Sequence, residues 1–187
     1  MSATIAVMRE LRSQGITLVE TLMVVSILGV VAVVAIPGFR SAERQQLELA
    51  AGEFAEAIRF ARSEAVRLGE PRGFRLQSSA KRIQVFRADT STVPWTLVYD
   101  IYHPISRKPF DIELDRHPFA AAESLKRNTT FRGTCNNTGD IYFDGSGTPW
   151  CANPETVLLE QSDITFTLGG YTRVVTLHGV TGRVIVQ

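Results

Sequence analysis

The feature that most constrains this chain is an apolar block near its N-terminus. Almost every side chain in residues 16–36 is apolar, and Glu20 is the one charged residue among them. As a helix rising about 1.5 Å per residue, the block would be roughly 30 Å long, which matches the hydrocarbon core of a bilayer. Arg9 and Arg12 precede it, so the positive-inside tendency predicts a cytoplasmic N-terminus, with everything after Arg40 across the membrane.

Three ordinary kinds of segment compete for this block. A secretory signal peptide has a shorter apolar region, of about 7–15 residues. A plain membrane anchor fits the length, and a buried helix of a soluble core rarely stays apolar on all faces for so long. Glu20 argues against the plain anchor, because a carboxylate inside a membrane segment costs roughly 2.5–3.5 kcal/mol. Glu20 therefore calls for a functional explanation.

The residues around Glu20 resemble the class III signal of type IV prepilins. The stretch Gly15-Ile16-Thr17-Leu18-Val19-Glu20 has a Gly before the expected cut and a Glu fifth after it. The similarity continues through residues 21–25 and to Gly29 and Pro37, although Ile16 stands where Phe or Met is commoner. The resemblance implies that prepilin peptidase removes the leader, residues 1–15, by cutting after Gly15, and that it methylates the new amino group of Ile16.

The same resemblance assigns Glu20 a role in assembly. It implies that the carboxylate of Glu20 pairs with the N-terminal amine of a neighbouring subunit. In a low-dielectric environment such a pair would offset the desolvation of both charges and fix the axial register of the subunits. The alternative is a satisfied polar residue at the edge of the bilayer.

Residues 16–68 predict one long helix, interrupted by a kink at Pro37 because proline removes a backbone donor and clashes with the preceding turn. In its second half, apolar residues recur at spacings of three and four, and charged residues fall largely on the other face. Gly69 and Pro71 predict the end of the helix. The residues expected on its buried face are Leu47, Ala50, Ala51, Phe54, Ile58, Ala61, Ala65 and Leu68.

The remainder of the chain predicts an antiparallel sheet. From Arg72 onward the periodicity falls toward two, with aromatic and β-branched residues. Gly169-Gly170 separates two alternating runs and predicts a hairpin turn. An insert over about residues 102–128, with prolines at positions 104, 109 and 118, separates the third and fourth predicted strands. The predicted strands are 73–77, 82–87, 95–101, 140–143, 164–168, 171–177 and 183–186.

A second motif sharpens the resemblance. Residues 60–66, Phe-Ala-Arg-Ser-Glu-Ala-Val, are similar to the (Y/F)ARSEA stretch of the GspH/FimT family. This family comprises minor pseudopilins of type II secretion and minor pilins of type IV pili. It implies an α+β, type IV pilin-like fold, in which a long N-terminal helix packs on a C-terminal antiparallel sheet. The expected division is a leader (1–15), a transmembrane and filament-core helix (16–39) and a periplasmic globular domain (40–187).

The chain contains two cysteines, Cys135 and Cys151. In an oxidising compartment such as the periplasm they are expected to form a disulfide. The alternative is two separate buried thiols.

The composition and motifs give little support for catalysis. The formal net charge is +1, which does not indicate a nucleic-acid-binding protein. His103, His117 and His178 are widely spaced and have no neighbouring ligand cluster, so no metal is expected. Residues 144–147, Asp-Gly-Ser-Gly, lack the further residues of a phosphate or calcium loop and predict a tight turn. The sequence therefore predicts neither an enzyme nor a cofactor.

The resemblance also raises a contact with DNA. Some FimT-type minor pilins are implicated in DNA uptake through a G-R-x-R pattern near the C-terminus. This chain has Gly182-Arg183-Val184-Ile185, without the second Arg, and Arg173 in the preceding hairpin could share a face with Arg183. Two arginines supply only a weak, salt-sensitive interaction with phosphates, and the favoured interpretation of Arg183 is a surface strand residue.

The function implied by the resemblance is that of a non-catalytic minor pilin that helps to initiate or cap a type IV pilus. The alternatives are a minor pseudopilin of type II secretion and a pilus-tip subunit that binds DNA. The expected partners are prepilin peptidase, other minor pilins or pseudopilins, the major subunit and the inner membrane. The expected location is first the inner membrane, crossed once, and then the filament.

Overall fold

A computed structural model describes residues 17–77, 79, 81–115, 124–135, 140–153 and 156–187, except for the side chains of residues 32–41 and 124. The chain divides into two compact units, Met1–Phe39 and Arg40–Gln187. The cleavage-site residues Gly15 and Ile16 lie outside the described residues, as does His117.

One long helix is confirmed. Helix α1 (Leu18–Leu68) has 51 residues and includes Pro37, where the kink stays a prediction. It ends as predicted at Gly69, which has a φ of +67° and whose amide donates a 2.9 Å hydrogen bond to the carbonyl oxygen of Ala65. Glycine suits this position because it has no Cβ to oppose the left-handed conformation.

No helix within the part of the chain that the structure describes is both long and apolar enough to cross a membrane. The span predicted for residues 16–39 is therefore not found there.

Ten strands follow the helix in the part of the chain that the structure describes. They are β1 (Arg72–Gln77), β2 (Arg82–Asp89), β3 (Thr96–Val98), β4 (Asp111–Glu113), β5 (Ser124–Phe131), β6 (Asp140–Phe143), β7 (Pro149–Cys151), β8 (Leu159–Leu168), β9 (Tyr171–His178) and β10 (Val184–Val186).

The strands form two antiparallel sheets, whereas the sequence predicts one. The first sheet has the order β3-β2-β1-β6-β7, with β4 also pairing with β2, and the second has the order β10-β9-β8-β5. The predicted turn between β8 and β9 is confirmed, because Gly169 and Gly170 have φ values of +56° and +82°. Two consecutive positive values match the two-residue turns that suit the twist of a hairpin.

Helix α1 packs its apolar face against both sheets. Phe54 is fully buried, and its ring lies 5.8 Å from that of Phe74 on β1 and 5.6 Å from that of Phe166 on β8. Full burial of such a ring stabilises the fold by about 1.5–3 kcal/mol. Every residue predicted for the buried face is at most 1% exposed, except Leu68. That residue is 42% exposed and is the last residue of the helix.

A smaller apolar cluster, the outer cluster, lies on the other face of the first sheet. Phe86 and Tyr142 follow Val85 and Ile141, which belong to the main core, so the alternation of side chains along a strand turns them outward. The outer cluster consists of Phe86, Tyr142 and Ala152, packed against Trp95, Leu97, Tyr99 and Trp150.

Candidate assembly site

Thr17 caps the N-terminus of α1. Its Oγ1 accepts a 3.3 Å hydrogen bond from the backbone amide of Glu20, and its carbonyl oxygen accepts one of 3.2 Å from the amide of Thr21. A Thr followed three residues later by Glu is the spacing of a capping box, a signal that the sequence analysis missed. The carboxylate of Glu20 in the first turn also complements the partial positive charge of a helix N-terminus.

The first turns of α1 present apolar side chains on every side. Within residues 17–31 Glu20 is the one ionisable group, and all the large apolar side chains there are more than half exposed. Two of the polar side chains are satisfied internally, because Thr21 donates to the carbonyl oxygen of Leu18 and Ser26 to that of Leu22. When an isolated chain exposes an apolar surface of this extent, the surface is expected to be covered by lipid or by another protein.

Charged side chains on the exposed face of α1 form ion pairs with one another. Arg44 lies 3.2 Å from Glu48, and Arg59 lies 2.6 Å from Glu56. Glu48 also accepts a 2.6 Å hydrogen bond from Arg173 on β9. The hydrogen bonds from Arg173 and Arg44 hold the pKa of the Glu48 carboxyl below its ordinary value. Exposed pairs of this kind add little stability, because solvent and salt screen them.

The two arginines of the DNA hypothesis are not brought together. Arg173 pairs with Phe166 near the start of β9, and its side chain is bound to Glu48. Arg183 precedes β10, and its carbonyl oxygen accepts a hydrogen bond from His178 at the far end of β9. A contact with DNA stays a prediction.

Residues 144–148 form the predicted tight turn, which is built around the carboxylate of Asp144. Its Oδ1 accepts hydrogen bonds from the Ser146 amide at 2.8 Å, the Ser146 hydroxyl at 2.6 Å and the Thr148 amide at 3.0 Å. Its Oδ2 accepts a 2.8 Å bond from the indole of Trp150. Partial burial alone would raise the pKa of Asp144, but these hydrogen bonds outweigh it and hold the pKa below its ordinary value.

Two further carboxylates of the first sheet are bound by arginines. Asp140 is 1% exposed and accepts hydrogen bonds from Arg75, one of them 2.6 Å long, while Asp111 is bound in the same two-pronged way by Arg82. Arg75 lies over the ring of Tyr99 at 5.3 Å, and burial raises the pKa of this tyrosine to about 12. These carboxylates brace strands of the first sheet.

The predicted disulfide between Cys135 and Cys151 is confirmed. Their Cα atoms lie 5.9 Å apart, and Cys151 ends β7. The bond therefore ties the segment after β5 to an end of the first sheet.

Histidines form no metal centre in the part of the chain that the structure describes. His103 lies 3.7 Å from Glu53, and His178 belongs to β9. No group of three or more potential ligands occurs among the described residues.

A comparison with protein families identifies the chain. The family model described as Type II transport protein GspH matches residues 50–181. The chain belongs to the GspH family. The match includes residues 60–66, which carry the (Y/F)ARSEA resemblance, and the turn around Asp144. The predicted membership of the GspH/FimT family is therefore confirmed, and the chain is a minor pilin or pseudopilin.

Solved structures similar to this GspH family member are minor pilins and pseudopilins. The type IV minor pilin FimU of Pseudomonas aeruginosa is 18% identical, with a TM-score of 0.49 over 78% of this chain and 90% of that one. The minor pseudopilin EpsH of the Vibrio cholerae type 2 secretion system is 13% identical, with a TM-score of 0.49 over 76% of this chain and 96% of that one. A search of curated protein sequences finds no match.

Proposed function

We propose that this chain is a non-catalytic minor subunit that assembles into a type IV pilus and helps to initiate or cap it. The observation that carries the proposal is the exposed apolar surface of residues 17–31, interrupted by the single carboxylate of Glu20, on a chain of the GspH family. A subunit with such a helix can bury it only against lipid or against other subunits.

Before assembly, the precursor resides in the inner membrane. Its N-terminus is cytoplasmic and its globular part, residues 40–187, is periplasmic. The disulfide between Cys135 and Cys151 supports this location, because disulfides persist in oxidising compartments. Prepilin peptidase cuts after Gly15 and methylates Ile16, which leaves a cationic N-terminus.

In the filament, the carboxylate of Glu20 pairs with the N-terminal amine of a neighbouring subunit. Within residues 17–31 no second ionisable side chain competes for that amine. In such an apolar environment, subunits that are out of register leave both charges unpaired, and each unpaired charge costs several kcal/mol. The pair thereby fixes the register of one subunit against the next.

The non-catalytic assignment is supported by the engagement of the enclosed carboxylates. Asp111, Asp140 and Asp144 are each bound by arginines or by turn donors, so they serve as structural acceptors. A general base needs a carboxylate that is within reach of a substrate and matched in pKa to its task.

The test is the incorporation of Glu20→Ala into filaments in the native host. We expect the variant to be processed and inserted but to be depleted at least about tenfold from sheared filaments, because a loss of 1.4 kcal/mol already changes an equilibrium tenfold. Glu56→Ala, which removes an exposed carboxylate from the same helix, is the matched control and should incorporate normally. Normal incorporation of Glu20→Ala would overturn the assigned role.

A second candidate function is a minor pseudopilin of type II secretion. The description of the matching family as type II transport proteins favours it. Deletion in the native host separates the two candidates. Loss of surface pili with secretion intact supports the pilus, whereas loss of secreted enzymes from the medium with pili intact supports the pseudopilus.

A further inference from the structure

A groove of about 630 Å³ lies between the last turns of α1 and the segment that joins β9 to β10. We call it the arginine groove. Four guanidinium groups line it together with two valines and two serines, and no Asp or Glu is among the lining residues. Its charged and apolar members are Arg59, Arg62, Arg67, Arg183, Val66 and Val184.

Two of the four charges have carboxylate partners on α1 itself. Arg59 is paired with Glu56 at 2.6 Å, and Arg67 binds Glu64 through two hydrogen bonds of 2.9 and 2.7 Å. The other two, Arg62 and Arg183, form no ion pair with any residue that the structure describes. The groove therefore carries a local excess of positive charge, on a chain whose formal net charge is only +1.

The guanidinium of Arg62 is held in a fixed position. Its Nε donates a 3.1 Å hydrogen bond to the carbonyl oxygen of Gly147, which leaves its two terminal amino groups for another acceptor. Gly182 packs closely against the same Nε, since a Cβ atom there would lie only 2.6 Å away. A guanidinium that is already immobilised loses less conformational entropy when it binds an anion.

The apolar walls indicate the kind of anion. Val66 is 50% exposed beside Arg62, and Val184, which is 9% exposed, also lines the groove. A mixed apolar and cationic lining suits a peptide that carries both apolar side chains and carboxylates. The arginines of this helix already bind carboxylates in a forked geometry, as Arg67 does with Glu64.

A nucleic acid fits less well. Binding to phosphates without sequence readout depends on a row of cations, and two charges without partners would give only a shallow dependence on salt.

We propose that the arginine groove binds an acidic peptide segment of another subunit of the filament, two carboxylates of which pair with Arg62 and Arg183. The inference rests on the proposed function only in that the segment belongs to a neighbouring subunit. The groove would then provide a lateral contact made by the globular unit, independent of the contact made by Glu20.

The test uses the purified full chain in mild detergent and a fluorescent ten-residue peptide of alternating Glu and Leu, read by fluorescence anisotropy. We expect saturable binding that Arg183→Gln weakens at least about tenfold, a change equivalent to 1.4 kcal/mol. Arg183 is chosen because it is exposed, whereas replacing Arg62 would break its bond to Gly147. Arg132→Gln, at an exposed arginine outside the groove, is the matched control and should bind as the parent chain does.

Three results would overturn the inference. One is equally tight binding of the same peptide with Gln in place of Glu, and another is an equal loss of affinity in Arg132→Gln. The third is tighter binding of a single-stranded oligonucleotide than of the acidic peptide. Peptide binding is measured on the purified chain, whereas the phenotypes of the deletion and of Glu20→Ala are measured on filaments in the host. A negative result in one experiment therefore does not change the expected result of the other, and the two proposals can be rejected separately.

Discussion

The Nε atom of Arg62 on α1 lies 3.1 Å from the carbonyl oxygen of Gly147, in the turn that precedes β7. A Cβ atom on Gly182 would come within 2.6 Å of both atoms of this hydrogen bond. Three segments that are distant in the sequence thus meet at one point, and the contact requires a residue without a side chain at position 182.

Gly182→Ala is expected to lower the free energy of unfolding by about 2–5 kcal/mol. The φ of Gly182 is +61°, which costs a residue with a Cβ about 1–2 kcal/mol, and the overpacking adds about 1–3 kcal/mol. Gly170→Ala is the control, since Gly170 has a φ of +82° but nothing within 4 Å of a built Cβ. Urea unfolding of the full chain in detergent measures both, and equal losses would contradict the close contact.

Asp144→Asn is expected to destabilise the fold at neutral pH by roughly 1–2 kcal/mol. Hydrogen bonds to a charged acceptor contribute about 1.5–3 kcal/mol, and partial exposure to solvent reduces that value. The folded-state pKa of Asp144 is depressed, so its contribution is present above the unfolded-state pKa and is lost as the pH falls through the folded-state pKa. The difference between parent and variant should therefore narrow below about pH 4. A difference that does not change with pH would contradict the ionised acceptor.

Reduction of the disulfide is expected to lower the free energy of unfolding by about 3 kcal/mol. Cys135 and Cys151 are 16 residues apart, and a loop of about this length gains roughly that much in the chain-entropy model. Urea unfolding with and without reductant measures the effect. The double variant Cys135→Ser/Cys151→Ser is the control and should show no response to reductant.

Phe54→Ala is expected to cost about 3–5 kcal/mol, because it opens a cavity where α1 meets both sheets. Phe60→Ala is a useful comparison, since Phe60 is only partly buried and stacks on Phe110 at 5.2 Å. Phe60→Ala should lower the free energy of unfolding clearly less than Phe54→Ala does in the same urea experiment. A similar cost for both would mean that Phe54 does not hold the two sheets together.

Helix α1 could be predicted closely because its signals are local. Spacings of three and four placed Leu47 and Phe54 on the buried face, and Gly69 marked the end. Leu68 follows the same spacing yet is exposed, because the spacing of apolar residues does not show where the surface that packs against the helix ends.

The sheets were harder to predict. Strand β5 contains Lys126, Arg127 and Asn128, and it is held by its pairing with β8 rather than by its own apolar pattern. Strands β4 and β7 have three residues each, which is too short for an alternation to be recognised. The division into two sheets depends on pairings between distant segments, and these leave no periodic trace in the sequence.

The assembly role of Glu20 stays a prediction. Glu20 stands out because a carboxylate is unexpected in an apolar segment, and the GspH/FimT resemblance is carried by contiguous motifs. The arginine groove was missed, because Arg62 and Arg183 come together only through the packing of α1 beside the β9–β10 segment. A sequence shows scattered arginines, and only the fold shows which of them share a surface.

Both tryptophans of the chain pack against the outer cluster. Trp95 lies 5.1 Å from Tyr142, and the indole of Trp150 donates a hydrogen bond to Asp144. Intrinsic fluorescence therefore reports on the outer face of the first sheet, whereas far-ultraviolet circular dichroism reports mainly on α1. Coincident unfolding curves from the two signals would mean that both faces of the sheet are lost in one cooperative step. A fluorescence change at lower urea would mean that the outer face opens while the helix is still in place.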